Sequence, residues 1–155
     1  MMKFKNIFLR FSINIFPPLF FNRIYLKSIS SDYREMNVVL KRSIFNINYY
    51  KSIFGGSIFS ACDPYFPIMY YHIFKNKKLI IWVKSAEINY LKPANSTLKL
   101  NFKINDSQIH EINEALLKNG KYEIVNEVNA INSENIICAQ AKITIHLRDS
   151  SIITS

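Results

Sequence analysis

The stretch NINYYKSIFGGSIFSACDPYFPIM, residues 46–69, combines a glycine pair, an apolar run and one carboxylate. Gly55 and Gly56 stand where a polar loop gives way to an apolar segment, and glycine lets the backbone approach a ligand closely because it has no Cβ. A helix that begins at Gly56 has first N–H groups without intrahelical partners, at the positive end of its dipole. The stretch therefore predicts an amide-lined site for an anion or a developing oxyanion.

Asp63 follows Gly56 by seven residues, which places it on nearly the same face of a helix but about 10.5 Å further along the axis. A reacting atom must lie within about 3 Å of both the oxyanion donor and the base or nucleophile. One chain therefore cannot bring both groups to one substrate atom. We expect a site shared between two antiparallel copies of this helix, and a strictly monomeric, active protein would exclude it.

The segment FGGSIFSACD, residues 54–63, resembles the His-Gly-Gly-x-x-x-x-x-x-Asp segment of phenylacetyl-CoA thioesterase-like proteins in the hotdog-fold thioesterase superfamily. Ordered landmarks up to about Leu98 resemble a bacterial branch called domain of unknown function 4442, which is described as tetrameric acyl-CoA thioesterase-like. Those landmarks are Phe16-Pro17-Pro18, Ser31-Asp32-Tyr33-Arg34-Glu35, Asn46-x-Asn48, Asp63-Pro64, Trp82-Val83-Lys84-x-Ala86 and Tyr90-Leu91-Lys92-Pro93. The resemblance implies a hotdog fold and hydrolysis of an acyl thioester.

The resemblance also implies roles for single residues. Asp63, Gly56, Gly55 and Asn48 are the expected catalytic residues. Asn48 resembles a loop asparagine that positions the substrate or its attacking water in related thioesterases, and it can equally cap its own loop. Phe54 takes the place of the histidine of the better-known enzymes, which removes that side chain from carbonyl binding. The candidate substrate-binding residues are Phe54, Ser52, Phe59, Lys84 and Lys92.

Two functions follow from this set of residues. The favoured one is hydrolysis of an acyl thioester, above all acyl-CoA, with Asp63 as general base or nucleophile and the lysines near the phosphates of the CoA. The alternative is a non-catalytic protein that binds acyl-CoA or an acyl chain, which Phe54 in the histidine position supports. A buried cap is the structural alternative for Asp63. No cofactor is expected beyond the CoA of the substrate.

Length and composition favour one domain over residues 1–155, with an N-terminal helical segment at 1–22 and a flexible tail at 149–155. The net charge of +9 comes from lysines spread along the chain, so a solvated surface is favoured over nucleic-acid binding. The two cysteines and three histidines show no metal-ligand or redox spacing, which predicts no metal site and a reduced, cytoplasmic location.

The N-terminal segment carries apolar residues at helical spacing up to Ile15, before Pro17 and Pro18. It lacks a small-residue cleavage site and is interrupted by the prolines, so a secretory signal is disfavoured. We expect an amphipathic helix that covers an edge of the domain or a subunit contact. Binding to a membrane surface through this basic helix is the less favoured alternative.

The periodicity predicts an α+β chain in which an antiparallel sheet curls around one long central helix. Such a sheet leaves an edge that a second copy can pair with, so we expect a homodimer or a tetramer of dimers. The predicted strands span 24–29, 35–44, 79–91, 96–104, 122–130 and 136–147. The predicted helices are the central one at 56–74, with a bend at Pro64 and Pro67, and a short one capped by Asp106 or Ser107 and closed by Asn119-Gly120.

Overall fold

The computed structural model describes the backbone of residues 2–151 and the side chains of residues 6–151. It contains five helices and six strands within that range. In chain order they are α1 (Met2–Ile15), α2 (Pro17–Phe21), β1 (Ile24–Ile29), β2 (Glu35–Leu40), α3 (Gly55–Cys62), α4 (Tyr65–Ile73), β3 (Leu79–Tyr90), β4 (Leu98–Lys103), α5 (Asp106–Asn119), β5 (Lys121–Ile131) and β6 (Ile137–Asp149).

The six strands form one curved antiparallel sheet in the order β1-β2-β4-β5-β6-β3. The predicted α+β architecture, a sheet around a central helical segment, is thereby confirmed. The longest pairing joins β3 to β6, from Leu79 opposite Asp149 to Tyr90 opposite Ala139. Strands β1 and β3 are the two edges of the sheet.

The central helical segment is divided into α3 and α4 rather than bent as one helix. Pro64 lacks the N–H that would bond the carbonyl of Ser60, so the first helix ends at Cys62 with Asp63 as its cap, and the second begins at Tyr65. Pro67 is tolerated because it lies in the first turn of α4, where an N–H has no intrahelical partner. The axis therefore breaks at the carboxylate, and the helix starts at Gly55, one residue before the predicted start.

The core lies between this segment and the sheet. Tyr65 and Phe66 are fully buried on α4, and both rings contact Phe102 of β4, with ring centroids 4.8 Å and 5.1 Å apart. Met69 and Tyr70 continue the same buried surface one turn later. The all-round apolar pattern of 56–74 thus reflects a helical segment that the sheet wraps.

Helix α1 covers the outer edge of β1 through polar side chains. The Asn14 side chain accepts a bond from the Leu26 N–H at 2.7 Å and donates to the Leu26 carbonyl at 3.2 Å. Arg10 donates to the Lys27 carbonyl at 3.0 Å, and Asn6 donates to the Ser30 carbonyl at 3.3 Å. The expected edge-covering role of this helix is borne out. By contrast, no described element pairs with the outer edge of β3.

The predicted bounds of every strand except β1 differ from the structure, by one to four residues. Strand β2 ends at Leu40 rather than at 44, because the Asn46 side chain bonds the carbonyls of Lys41 and Asn22, each at 2.8 Å, and holds the chain in a loop. Helix α5 is capped by Asn105 in a capping box, so the caps predicted at the next two residues were wrong; its close at Gly120 is confirmed. Strand β6 runs to Asp149, and residues 152–155 of the predicted tail lie outside the described residues.

Two kinds of feature are absent from the described part of the chain. None of its helices is long and apolar enough to cross a membrane. Within the same residues, no three His, Cys, Asp or Glu side chains are grouped so that they could hold a metal ion.

Candidate active site

A cleft of about 590 Å³ opens at the start of α3. Its walls are the loop before the helix, the first turn of the helix and the segment that follows β3. A bond from the Ile53 N–H to the Ala94 carbonyl, 2.9 Å long, ties the first wall to the third. The polar groups that line the cleft come from Asn48, Tyr50, Ser52, Gly55, Tyr90, Lys92 and Asn95.

The amides of Gly55 and Gly56 donate to no acceptor among the described residues, whereas those of Ser57 and Ile58 bond the Phe54 carbonyl at 2.9 Å and 3.2 Å. No side chain caps this helix start. Two N–H groups at the positive end of the helix are thus available to an oxyanion. Gly55 lines the cleft directly.

At both glycines an aromatic ring approaches the backbone closely, and neither glycine has an unusual backbone conformation. A Cβ on Gly55 would meet the Tyr90 ring at 3.1 Å, and a Cβ on Gly56 would meet the Phe54 ring at 2.3 Å. The Phe54 ring, on a side chain 56% exposed, therefore occupies the space beside Gly56. In this chain the residue in the histidine position packs on the glycine pair.

Tyr90 is a site residue to which the sequence assigned no role. Its hydroxyl donates to the Gly55 carbonyl at 2.9 Å, which fixes the start of α3 to the end of the edge strand β3. Burial raises the pKa of Tyr90, and the nearby Cys62 thiol adds to the effect. The only sequence signal was its place among the family landmarks at the end of a strand.

Asn48 and Ser52 are hydrogen-bonded to each other and close the turn of the loop beside the cleft. Asn48 Nδ2 lies 2.9 Å from Ser52 Oγ, and its Oδ1 accepts from the Ser52 N–H at 3.2 Å. The backbone closes the same turn, with the Asn48 N–H bonded to the Ser52 carbonyl at 2.8 Å. Asn48 therefore caps its own loop and lines the cleft at the same time.

Asp63 is half-buried where α3 ends, and its carboxylate has no hydrogen bond or ion pair within the described residues. Burial raises the pKa of Asp63 above its ordinary value. Burial also raises the pKa of the adjacent Cys62 thiol to about 12, with a further contribution from the Asp63 charge. A carboxylate without partners and with increased proton affinity is suited to general-base chemistry.

Asp63 does not line the cleft at Gly55. The two groups stand at opposite ends of α3, Gly55 at its first residue and Asp63 at its C-terminal cap. One chain thus separates the amides from the carboxylate, as the seven-residue interval predicts.

The remaining predicted substrate-binding residues are divided between two places. Lys92 and Ser52 line the cleft. Lys84 lies on the other face of the sheet, where its ammonium group forms an ion pair with Glu123 at 2.6 Å. Phe59, 37% exposed, projects from α3 and does not line the cleft. The structure thus brings Asn48, Ser52, Gly55 and Lys92 together and leaves Lys84 apart.

The fold is similar to that of three solved structures. A Pseudomonas aeruginosa protein of unknown function, described as a probable thioesterase, matches with a TM-score of 0.79 and 13% identity over 92% of this chain and 94% of that chain. A Haemophilus influenzae thioesterase matches with a TM-score of 0.69 and 11% identity over 91% and 88%. The Escherichia coli PaaI protein, from the phenylacetic acid degradation operon, matches with a TM-score of 0.66 and 16% identity over 94% and 92%.

At these identities the three structures establish the hotdog fold. No curated protein matches the chain by sequence. The model of one protein family, described as Domain of unknown function (DUF4442), matches residues 5–147. That span includes the glycine pair, Asp63 and every strand except the last two residues of β6. The chain therefore belongs to the DUF4442 family and has the hotdog fold.

Proposed function

We propose that the protein hydrolyses an acyl thioester, with acyl-CoA as the favoured substrate, at a site shared between two copies of the chain. The observation that carries this proposal is the pair of unpartnered amides at the start of α3, that of Gly55, which lines the cleft, and that of Gly56 next to it. Such donors stabilise the oxyanion that forms when a thioester carbonyl is attacked. The thioesterases among the solved structures with this fold support the same reaction class.

In the proposed reaction the thioester carbonyl accepts from the Gly56 amide, assisted by that of Gly55. Asp63 of the facing copy takes a proton from water as the water oxygen attacks the carbonyl carbon. The C–S bond then breaks, and the thiolate leaves with a proton returned from the carboxyl group. The raised pKa of Asp63 favours this proton transfer, because a carboxylate with increased proton affinity is a stronger base. Direct attack by the carboxylate is the alternative first step.

The open edge of β3 supports the pairing of two copies. The core-facing residues of this strand, such as Ile81 and Val83, are only half-buried in one chain. Antiparallel pairing of two β3 edges would cover them and would continue the sheet. The central helices would then run antiparallel on the same face of that sheet, which brings the start of one α3 toward the end of the other. A dimer or a tetramer of dimers satisfies this arrangement.

The cleft offers separate contacts for the two parts of an acyl-CoA. Lys92 supplies a positive charge at its rim for a phosphate, and Asn48 and Ser52 supply polar groups beside the glycine amide. Ile58 and the Tyr90 ring form the apolar wall for an acyl group. The reaction needs no cofactor beyond the CoA that arrives with the substrate, and it suits a cytoplasmic protein.

A second candidate function is binding of acyl-CoA without hydrolysis. The Phe54 ring against Gly56 favours it, because related enzymes place a histidine there and this ring cannot donate a hydrogen bond. A thermal-shift experiment separates the two functions. A binding protein keeps a raised melting temperature as long as intact acyl-CoA is present, whereas an enzyme loses the shift as the compound is consumed.

The direct test incubates the protein with acyl-CoA compounds of graded chain length and a thiol reagent. We expect turnover with at least one of them, and a loss of about 100-fold or more in Asp63→Asn, the size typical of a general base. Asp106→Asn is the matched control, since Asp106 forms only an exposed ion pair with Arg34. No turnover at any chain length, or full activity in Asp63→Asn, contradicts the proposal.

A further inference from the structure

The apolar stripe of α1 faces away from the protein. Ile7, Phe8, Phe11 and Ile15 are exposed along one side of the helix, with Phe8 at 72%. The inner side carries buried Ile13 and half-buried Leu9, which pack on the core, together with the three polar side chains that bond backbone carbonyls of residues 26–30. A surface helix in a globular protein turns its apolar residues to the core and polar residues to solvent, whereas α1 carries a second apolar stripe on its outer side. The outer apolar stripe of α1 therefore packs against no other element among the described residues.

The exposed apolar surface continues beyond α1. The Arg23 guanidinium lies 5.9 Å from the centroid of the Phe20 ring of α2 and 4.6 Å from that of Phe45 in the loop after β2. The Asn46 side chain bonds the Asn22 carbonyl and holds this loop against the end of α2. We call the combined surface the aromatic–basic face. Its apolar members, each 41–81% exposed, are Ile7, Phe8, Phe11, Ile15, Phe16, Phe20, Phe21, Ile44 and Phe45.

The charge of the chain is concentrated in the same segment. Residues 1–51 contain nine Lys and Arg against two Asp and Glu, a net charge of +7, whereas the remaining residues contribute +2 of the total of +9. The basic residues are spread along the whole chain, but acidic residues are nearly absent from its first third. Lys27 and Lys41 both lie over the Tyr25 ring on β1, beside α1, at 5.9 Å and 5.3 Å. Exposed rings thus lie in a segment whose cations far outnumber its carboxylates.

We propose that the aromatic–basic face binds the surface of a lipid bilayer that contains anionic lipids. Exposed Phe and Ile side chains gain free energy when they enter the boundary between headgroups and acyl chains, and Lys and Arg are attracted to anionic headgroups. The proposed binding is peripheral, with α1 lying in the plane of the interface and its outer apolar stripe inserted. The proposal does not depend on the proposed thioesterase activity.

Two other occupants fit the face less well. A second copy of the same face would bring two strongly basic segments together, and such repulsion disfavours association. A nucleic acid would satisfy the cations but would leave the outer stripe of α1 in water, because nucleic-acid sites use aromatic rings for stacking rather than aliphatic stripes. The lipid surface alone satisfies both the charge and the apolar stripe.

The test is co-sedimentation of the full chain with vesicles of phosphatidylcholine alone and of phosphatidylcholine with about 30% phosphatidylglycerol. We expect binding to the anionic vesicles only. Lys27→Gln/Lys41→Gln should lower the partition coefficient about 30-fold, or about fivefold for each cation. Phe8→Ser/Phe11→Ser should lower it at least about tenfold, since two rings are withdrawn from the boundary.

Matched controls remove the same kinds of side chain elsewhere. Leu117→Ser removes an apolar residue that is 80% exposed on α5, and Lys118→Gln/Lys121→Gln removes two exposed lysines outside the face. Both controls should change partitioning less than about threefold, and unchanged thermal melting should show that each variant is folded.

Three outcomes overturn the proposal. They are equal binding to both vesicle types or to neither, equal losses in the control variants, and binding that the Phe8→Ser/Phe11→Ser change leaves intact. Sedimentation velocity of the same phenylalanine variant tests whether the face instead contacts another copy of the chain. If that change dissociates an oligomer, the face is a contact between copies of the chain.

Discussion

The packing of Phe54 on Gly56 predicts that substitutions at these two positions are coupled. In Gly56→Ala the new Cβ would lie 2.3 Å from Phe54 Cε1 and 3.0 Å from Cζ, so the ring has to move. Phe54 is 56% exposed, and the ring can therefore swing into solvent without disturbing the core. The cost is then a distorted side-chain rotamer and a lost contact, about 1 kcal/mol.

The opposing term is the helix preference of alanine, which is worth about 0.5–1 kcal/mol relative to glycine. The two terms offset each other, so Gly56→Ala alone should change the free energy of unfolding by less than about 0.5 kcal/mol. In the background Phe54→Ala the steric cost is absent, and the same change should stabilise by about 0.5–1 kcal/mol. The coupling free energy between the two positions is therefore about 1 kcal/mol.

Urea unfolding of the wild type, both single variants and the double variant measures this coupling. All four must be compared at one protomer concentration, since an oligomer's stability depends on it. If Gly56→Ala has the same effect in both backgrounds, within about 0.3 kcal/mol, then the ring does not occupy the space beside the glycine and the reasoning is refuted.

Three further predictions concern stability. Tyr65→Phe should raise the free energy of unfolding by about 1 kcal/mol, because the buried Tyr65 hydroxyl has no hydrogen-bond partner among the described residues. Tyr70→Phe, the control, should lower the free energy of unfolding, since the Tyr70 hydroxyl donates to a buried asparagine at 2.8 Å. Equal effects of the two changes in chemical denaturation would contradict the assignment. Burial raises the pKa of Asp63, so the contribution of Asp63 to stability is complete below the ordinary aspartate pKa of 3.8 and is lost as the pH rises through the raised pKa. Asp63→Asn should therefore be more stable than wild type at neutral pH and equally stable in acid. A stability gain that persists in thermal melting curves at acid pH would show another cause. Tyr90→Phe should lower the free energy of unfolding by about 1 kcal/mol, because it removes the hydrogen bond to the Gly55 carbonyl. An unchanged melting temperature would show that this bond does not hold the start of α3.

Local sequence rules located most of the fold. Alternation placed the strands to within a few residues, and Gly120 closed α5 where a left-handed residue is needed. The errors arose where a side chain bonds distant backbone. Asn46 ends β2 through bonds to Asn22 and Lys41, and Pro64 divides the central segment rather than bending it. Neither the partners of an asparagine nor the choice between a bend and a break can be read from periodicity.

The sequence predicted the chemical groups of the candidate site more fully than the set of residues that line it. The glycine pair and Asp63 could be identified because residue type and spacing define their roles along a helix. Tyr90 was missed because its bond to Gly55 joins residues 35 apart in the chain. Lys84 and Lys92 look alike in sequence, yet a bulge between Val83 and Ser85 and the face alternation of β3 give them different surroundings. Which lysine faces the cleft is a property of the folded sheet.

The central claim is that the amides of one copy and the carboxylate of another form one site. Its most direct measurement is the activity of mixed dimers, made by co-expressing Asp63→Asn and Gly56→Val chains with different affinity tags and purified through both tags. Each parent dimer has a defect at both sites, either an amide in place of the Asp63 carboxylate or a crowded valine side chain at the Gly56 amide, whereas a mixed dimer has one intact site. The account predicts thioesterase activity of about half the wild-type value per dimer. Activity no higher than that of the parent variants would contradict it.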